Sequence, residues 1–155
     1  MKSLTLAAIL LLTALATAQS SGKPKTKLTP AEILGVSGTR SLRDMLNDPE
    51  SFRVTSVRIV SLQAILGATD SYDPNVLQVC IEGRAKNATG GYVSLLGLAL
   101  GILDKGIAVG AKIGNPAGDE DDAATATTIA KFCNDPGIDV TNAAKAALKT
   151  DRDKE

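Results

Sequence analysis

The residues that could do chemistry lie in one stretch, VLQVCIEGRAKNATGGY, from Val76 to Tyr92. Its odd positions are apolar or small and its even positions are mostly polar, which is the two-residue period of a half-buried strand. One glutamate, one arginine and one lysine therefore project from the same face of the strand. The carboxylate could act as a general acid or base, and the two cations could clamp an anion. The candidate polar binding face comprises Glu82, Arg84, Lys86, Asn87 and Tyr92.

Two interpretations of this face remain open. In one, a small enzyme uses Glu82 with Lys86 or Tyr92 as an acid–base pair. In the other, the face is solvated and carries an ordinary cross-strand ion pair. We favour the second, because the chain contains no histidine, which removes Ser-His-Asp and Cys-His catalysis and His-ligated zinc. The sequence predicts no catalytic residue and no cofactor.

A run of four acidic residues, Asp119 to Asp122, raises the question of a calcium site. The run lacks the alternating spacing of an EF-hand loop. Acidic side chains at the start of a helix complement the helix dipole, and a helical pattern follows directly. We therefore predict a helix N-terminus here and no metal site.

The first eighteen residues have the pattern of a secretory signal peptide. Lys2 precedes an apolar stretch that is short for a membrane span, and Ala16-Thr17-Ala18 is a small-x-small cleavage site. We expect the mature chain to start at Gln19 and to be a bacterial protein of the periplasm or the extracellular space. The predicted organisation is a signal peptide at 1–18, a flexible leader at 19–28, one domain at 29–150 and a frayed tail at 151–155.

The charge balance restricts the partners. The chain has 17 basic and 17 acidic residues, so it carries no net positive charge that would attract nucleic acid or an anionic membrane. The partner is unknown from the sequence, and another protein of the cell envelope is possible. Membrane contact through the apolar hairpin from Leu95 to Val109 is an alternative that we do not favour, because charged residues interrupt the hairpin and each arm is short for a helical span.

The two cysteines, Cys80 and Cys133, are expected to form a disulfide, because the chain is bound for an oxidising compartment. A helix over 123–133 places Cys133 on its apolar face, where it can meet Cys80 on the sheet.

The fold class predicted from the patterns is α+β, with a small antiparallel sheet of about four strands between N-terminal and C-terminal helices. Thr29 to Glu32 form a capping box with Pro30 at the first helical position. Gly35 and Gly38 predict an early end to that helix, and a second helix is expected over 40–47. The predicted strands are 52–63, with a bulge near Thr55, and 76–88, 92–102 and 107–113; later helices are expected over 123–133 and 141–149.

Two runs in this sequence resemble a group of small exported bacterial proteins and lipoproteins. The first is L-x-D-P-x-S-F, from Leu46 to Phe52, and the second is V-C-x-E-x-x-A-K-N-x-x-G-G-Y, from Val79 to Tyr92. The chain departs from the group in having no lipobox cysteine and in the aliphatic hairpin after Tyr92. The group has no assigned biochemical activity, so the resemblance implies export and sheet topology and transfers no catalytic role.

The sequence thus predicts an exported, non-enzymatic binding or interaction module. The alternatives are the small envelope enzyme built on Glu82 and the membrane-associated protein that uses the Leu95–Val109 hairpin.

Overall fold

A computed structural model describes residues 27–62 and 73–154. The predicted signal peptide and residues 19–26 of the predicted leader lie outside this part of the chain. The described residues form an α+β domain with one antiparallel sheet, which confirms the predicted fold class. The elements are α1 (Pro30–Arg43), a 3₁₀ turn (Pro49–Ser51), β1 (Arg53–Ser61), β2 (Val76–Lys86), β3 (Tyr92–Ile102), β4 (Ile107–Gly114), α2 (Glu120–Phe132), β5 (Ile138–Asp139) and α3 (Thr141–Arg152).

The sheet has five strands in the order β4-β3-β2-β1-β5. The four predicted strands are all present, and the additional strand is the two-residue β5, which pairs with β1. The predicted irregularity in β1 is confirmed as a register shift between Val54 and Ser56. The turn between β3 and β4 contains Gly106 at a φ of 61°, a left-handed conformation that favours glycine.

The first helix is continuous, and the prediction of two N-terminal helices is wrong. The capping box is present, with Thr29 and Glu32 each bonded to the other's backbone amide. Gly35 and Gly38 do not end the helix; they lie on its buried face. A Cβ at Gly35 would collide with Val140, and one at Gly38 would collide with Val79. The glycines therefore allow α1 to pack closely on the rest of the domain.

The sheet is covered on both faces, but unequally. Helices α1 and α3 pack on one face, where most of the apolar core lies. The largest fully buried side chains of the domain are Phe52, Leu34, Leu42, Ile81, Val57, Val60, Val79 and Thr39.

Helix α2 packs on the opposite face. It contacts β3 and β4, and Ile129 and Cys133 form a small apolar cluster with Val60 and Cys80 of the sheet. Cys80 and Cys133, the predicted pair, form a disulfide bond with a Cα–Cα distance of 5.7 Å. Because one short helix lies across this face, part of the face remains open to solvent.

The acidic run lies at the N-terminus of α2, as predicted. The Asp119 side chain accepts a hydrogen bond from the Asp122 amide at 3.0 Å, and the other acids occupy the first turn. The helix begins at Glu120, three residues before the predicted start.

Two contacts join α1 to other elements of the domain, one to α3 and one to β4 at the edge of the sheet. Helix α3 continues to Arg152, into the segment 151–155 where fraying was expected, because Asp151 is bonded to Arg40 of α1. On the edge strand β4, the Ala108 amide donates a hydrogen bond of 3.0 Å to the Ser37 hydroxyl of α1. Within 27–62 and 73–154, no helix has the length and apolar character needed to cross a membrane.

Candidate functional site

The predicted polar residues of β2 lie on the side of the sheet that α2 covers, with Glu82 beside that helix and Arg84 and Lys86 further along the strand. Glu82, Arg84 and Lys86 alternate with buried residues and share a face with Cys80. Antiparallel pairing with β3 places Arg84 beside Ser94 and Lys86 beside Tyr92. Both cations are exposed to solvent.

Tyr92 lies between the two cations. The Arg84 Cζ atom is 5.9 Å from the centroid of its ring, and the Lys86 Nζ atom is 6.0 Å from the same centroid. These distances are within the range of cation–π attraction. Tyr92 is 44% exposed, so part of it is open to solvent.

Sequence reasoning missed a third cation, whose backbone lies beside that of Arg84 and which also lines a small pocket with Lys145, Leu148 and Arg152 of α3. Arg53 of β1 is the cross-strand partner of Arg84. Its Nη1 atom donates hydrogen bonds to the backbone oxygens of Glu50 at 2.6 Å and Phe52 at 2.9 Å, so its guanidinium is held in place. Among the described residues, Arg53, Arg84 and Lys86 have no carboxylate within salt-bridge distance. We call the surface formed by Arg84, Lys86 and Tyr92 the basic face.

Glu82 lies next to the basic face but forms its ion pair with a residue of β1. Its Oε1 atom is 3.1 Å from Nη2 of Arg58 on β1, and Nη1 of Arg58 donates to the Asp135 backbone oxygen at 3.1 Å. This is the cross-strand ion pair that we favoured from the sequence. Lys86 lies four residues further along the strand, about 13 Å away at the usual strand rise. The acid–base pair between Glu82 and Lys86 is therefore not assembled in this structure.

Asn87 is separate from the basic face because it stabilises the turn between β2 and β3. Its Oδ1 atom accepts hydrogen bonds from the Thr89 amide, the Thr89 hydroxyl and the Gly91 amide at 2.8 to 3.1 Å. Gly90 in the same turn has a φ of 82°. Asn87 thus sets the turn that brings Tyr92 beside Lys86.

The L-x-D-P-x-S-F run and the V-C-x-E-x-x-A-K-N-x-x-G-G-Y run meet at this end of β2. The Ser51 hydroxyl accepts a hydrogen bond from the Lys86 amide at 2.9 Å and donates one to the Asp48 backbone oxygen at 2.8 Å. The Phe52 ring packs where a side chain at Gly83 would lie. The first run therefore supports the strand that presents Arg84 and Lys86.

A small open pocket lies between the basic face and the disulfide. Its volume is about 250 Å³, and helix α2 and the sheet form its two sides. The apolar part consists of Leu96, Ile129, Ala130 and the disulfide, while Arg58 and Glu82 supply the polar rim. We call it the disulfide pocket.

A larger groove lies on the other side of α2, between that helix and β3 and β4. Its volume is about 630 Å³, and Leu98 and Leu100 are among its apolar lining residues. Leu100 and its cross-strand neighbour Val109 are 43% and 45% exposed, as part of the predicted apolar hairpin.

No family model, curated protein or solved structure shows significant similarity to this chain. The interpretation of the site therefore depends on its own geometry. The relevant features are Arg84 and Lys86, which have no carboxylate partner among the described residues, the Tyr92 ring close to both of them, and the adjoining disulfide pocket.

Proposed function

We propose that this protein is an exported, non-enzymatic binding module whose basic face holds an anionic partner in the periplasm or the extracellular space. One observation carries the proposal. Arg84 and Lys86 lie on either side of one residue of β2, exposed on the same face and close to Tyr92, and the described residues supply them with no carboxylate partner.

The arrangement of charge favours an anion. Arg53 and Arg84 are directly opposed on neighbouring strands, and like charges in that position destabilise a sheet. A carboxylate or phosphate bound to Arg84 would offset the repulsion and form charge-assisted hydrogen bonds. The surface thus gains stability when an anionic group occupies it.

The cations are also partly ordered before any ligand binds. Arg53 is bonded to two backbone oxygens, the Lys86 amide is held by Ser51, and Tyr92 lies close to both Arg84 and Lys86. Ordering long side chains in advance reduces the entropy lost on binding. This supports a binding role for the face in preference to that of a merely solvated surface.

A binding role is preferred to catalysis because of what surrounds Glu82. Its carboxylate is matched by Arg58, and it lies about 13 Å along the strand from Lys86. An acid–base mechanism would need a second group positioned beside Glu82 over a reacting atom. Arg58 occupies that position, and its guanidinium is bonded to the Glu82 carboxylate and to the Asp135 backbone oxygen.

Export is supported by the signal-peptide pattern of the first eighteen residues and by the Cys80–Cys133 disulfide. Expression of the full chain in a bacterial host, followed by osmotic release and N-terminal sequencing, checks it. The expected result is a released protein that begins at Gln19. Retention of the whole chain in the cytoplasm, with Met1 or Lys2 at its start, would contradict export.

The binding function can be tested with poly-glutamate as a model polyanion. We expect the purified exported protein to bind it at low ionic strength and to lose affinity as salt is added, because exposed charges are screened. Arg84→Gln and Lys86→Gln should each weaken binding about threefold, in line with an exposed charge pair. Lys112→Gln on β4 is the matched control, since Lys112 is an exposed strand lysine on the same sheet face across α2.

Equal losses from Lys112→Gln and Lys86→Gln would show attraction by overall charge and would overturn the assignment to the basic face. Absence of binding at low ionic strength would overturn the proposed function itself.

A second candidate function rests on a different observation. Leu100, Ile107 and Val109 of the β3–β4 hairpin are 42% to 45% exposed and lie close together. A surface of this kind could contact lipid, as the sequence alternative anticipates. Flotation with uncharged phospholipid vesicles tests it: co-flotation that is lost in Val109→Ser would support lipid contact, and a protein that stays at the bottom of the gradient would exclude it.

A further inference from the structure

The basic face lies on the strands beside α2, at a lower level of the molecular surface than the helix. Helix α2 crosses the same side of the sheet and rests on β3 and β4, where a Cβ at Gly114 would collide with the helix backbone at Ala126. An α-helix with its side chains is about 10 Å in diameter, so α2 stands well above the neighbouring strands. A flat bilayer would meet the helix before it reached the strands, whereas a slender chain can lie beside the helix.

The disulfide pocket opens where α2 meets the strands of the sheet. Ile129 and Ala130 of the helix and Leu96 of β3 give it apolar walls. Its volume of about 250 Å³ is larger than the roughly 150 Å³ of an apolar cavity that holds benzene. One aliphatic side chain therefore fits there. The charge of Glu82 at the rim is already matched by Arg58.

The spacing along β2 matches the spacing of an extended peptide. On one face of β2, Glu82 lies beside the pocket, and Arg84 and Lys86 follow it at intervals of two residues. Side chains on one face of any extended chain repeat every two residues, at about 6.7 Å. A peptide that lies along β2 with an apolar side chain in the pocket would place its next two same-side residues over Arg84 and Lys86.

From this geometry we infer that the anionic partner is an extended acidic peptide segment with one apolar anchor. The anchor side chain enters the disulfide pocket, and carboxylates two and four residues away bind Arg84 and Lys86. The inference rests on the proposed binding function and specifies the chemistry of the partner: a protein segment in which an aliphatic residue and two acidic residues alternate with small ones.

Two synthetic peptides test the anchor, LTETE and its reverse ETETL, because the structure permits either chain direction. Each is compared with a version in which serine replaces leucine, and affinities are measured by titration of the ¹⁵N-labelled protein. In at least one direction the leucine peptide should bind about tenfold more tightly, as expected for burial of one aliphatic side chain. Resonances of Ala130 and Leu96 should shift with the leucine peptide alone.

A pair of helix variants tests the pocket from the protein side. Ala130→Leu fills the pocket, whereas Ala124→Leu makes the same change at an exposed site of α2 that lines the other groove. The first variant should remove the advantage of leucine over serine, and the second should keep it. Both leave every charge in place, so poly-glutamate binding should be unchanged in each.

The outcomes separate this inference from the proposed function. If poly-glutamate binds through Arg84 and Lys86 but the leucine and serine peptides bind equally in both directions, the apolar anchor is refuted and the basic face stands. If phosphatidylglycerol vesicles bind through Arg84 and Lys86 while neither peptide does, the partner is a lipid surface and the inference is overturned.

Discussion

Arg40 of α1 and Asp151 of α3 are joined by two hydrogen bonds of 2.8 Å, one from Nε to Oδ2 and one from Nη2 to Oδ1. The pair connects the first helix of the described chain to the last, on the face of the sheet opposite the basic face. Arg43 adds a longer contact, with Nη1 3.9 Å from the same carboxylate. This two-point geometry explains why α3 is ordered beyond its predicted end.

The ion pair predicts a specific dependence of stability on pH. The hydrogen bonds from Arg40 lower the pKa of Asp151 below its ordinary value. A carboxyl whose pKa is lower in the folded state contributes stability above its unfolded pKa of about 3.9, and loses that contribution as pH falls through the folded-state pKa. Because Arg40 is nearly half exposed, we expect Asp151→Asn to reduce the free energy of unfolding by about 1 kcal/mol at most at pH 7.

Urea unfolding of the wild type and Asp151→Asn, measured at neutral pH and again well below the unfolded pKa, checks this. The difference between the two proteins should shrink toward zero in acid. Asp153→Asn on the same helix is the control. A difference that stays constant with pH would show that Asp151 acts through packing and not through its charge.

The disulfide between Cys80 and Cys133 should be the largest single contribution to stability. It spans 53 residues, for which the chain-entropy estimate is about 4 kcal/mol. We expect Cys80→Ala/Cys133→Ala to lower the unfolding free energy by roughly that amount, and a reductant to destabilise the wild type but not the double variant. Labelling of denatured, unreduced protein should find no free thiol, and two labelled cysteines per chain would contradict the disulfide.

Gly114 on β4 should resist substitution. A Cβ there would collide with the backbone of Ala126, which cannot rotate away as a side chain can. We predict that Gly114→Ala displaces α2 and costs about 1 to 3 kcal/mol of unfolding free energy. Gly91→Ala is the matched control, because its Cβ would meet only the Asn87 side chain at 3.6 Å. Thermal unfolding of the two variants compares them directly, and equal stability would refute the close contact.

Ser51 is predicted to hold the end of β2. Replacing it with alanine removes both its hydrogen bonds and leaves the Lys86 amide without its partner. We expect Ser51→Ala to reduce stability by about 1 kcal/mol, the usual net contribution of a hydrogen bond, because the Lys86 amide is only partly buried, and to speed hydrogen exchange at that amide. Ser94→Ala, at an exposed site of β3, should change neither quantity. Unchanged exchange in Ser51→Ala would show that another group protects this amide.

Part of the basic face could be predicted from the sequence because it depends on local pattern. The alternation in β2 correctly places Arg84 and Lys86 on one face, and the pairing with Tyr92 follows from the short turn. Arg53 could not be found in this way. Its position beside Arg84 depends on the register between β1 and β2, which is set by the bulge after Val54 and by contacts distant in sequence.

The difference between local pattern and contacts distant in sequence also explains why two helices were wrongly predicted where α1 is continuous. Glycine lowers helix propensity by about 1 kcal/mol relative to alanine, so Gly35 and Gly38 predict a break. Tertiary packing outweighs that local preference, because each glycine lets the helix approach a valine of the core. The disulfide pocket was equally beyond sequence reasoning, since it is formed only where α2 passes over the sheet.

The bond between Ser37 and the Ala108 amide has a consequence for how molecules of this protein meet one another. Ala108 lies on β4, the outermost strand of the sheet, where open amides can recruit a strand from another chain and begin aggregation. Ser37 occupies one of these amides, and the left-handed Gly110 lies two residues further along, where the register with β3 shifts. An incoming strand would have to displace the serine and match an irregular edge. Helix α1 thus hinders the addition of a strand from another molecule at this edge of the sheet.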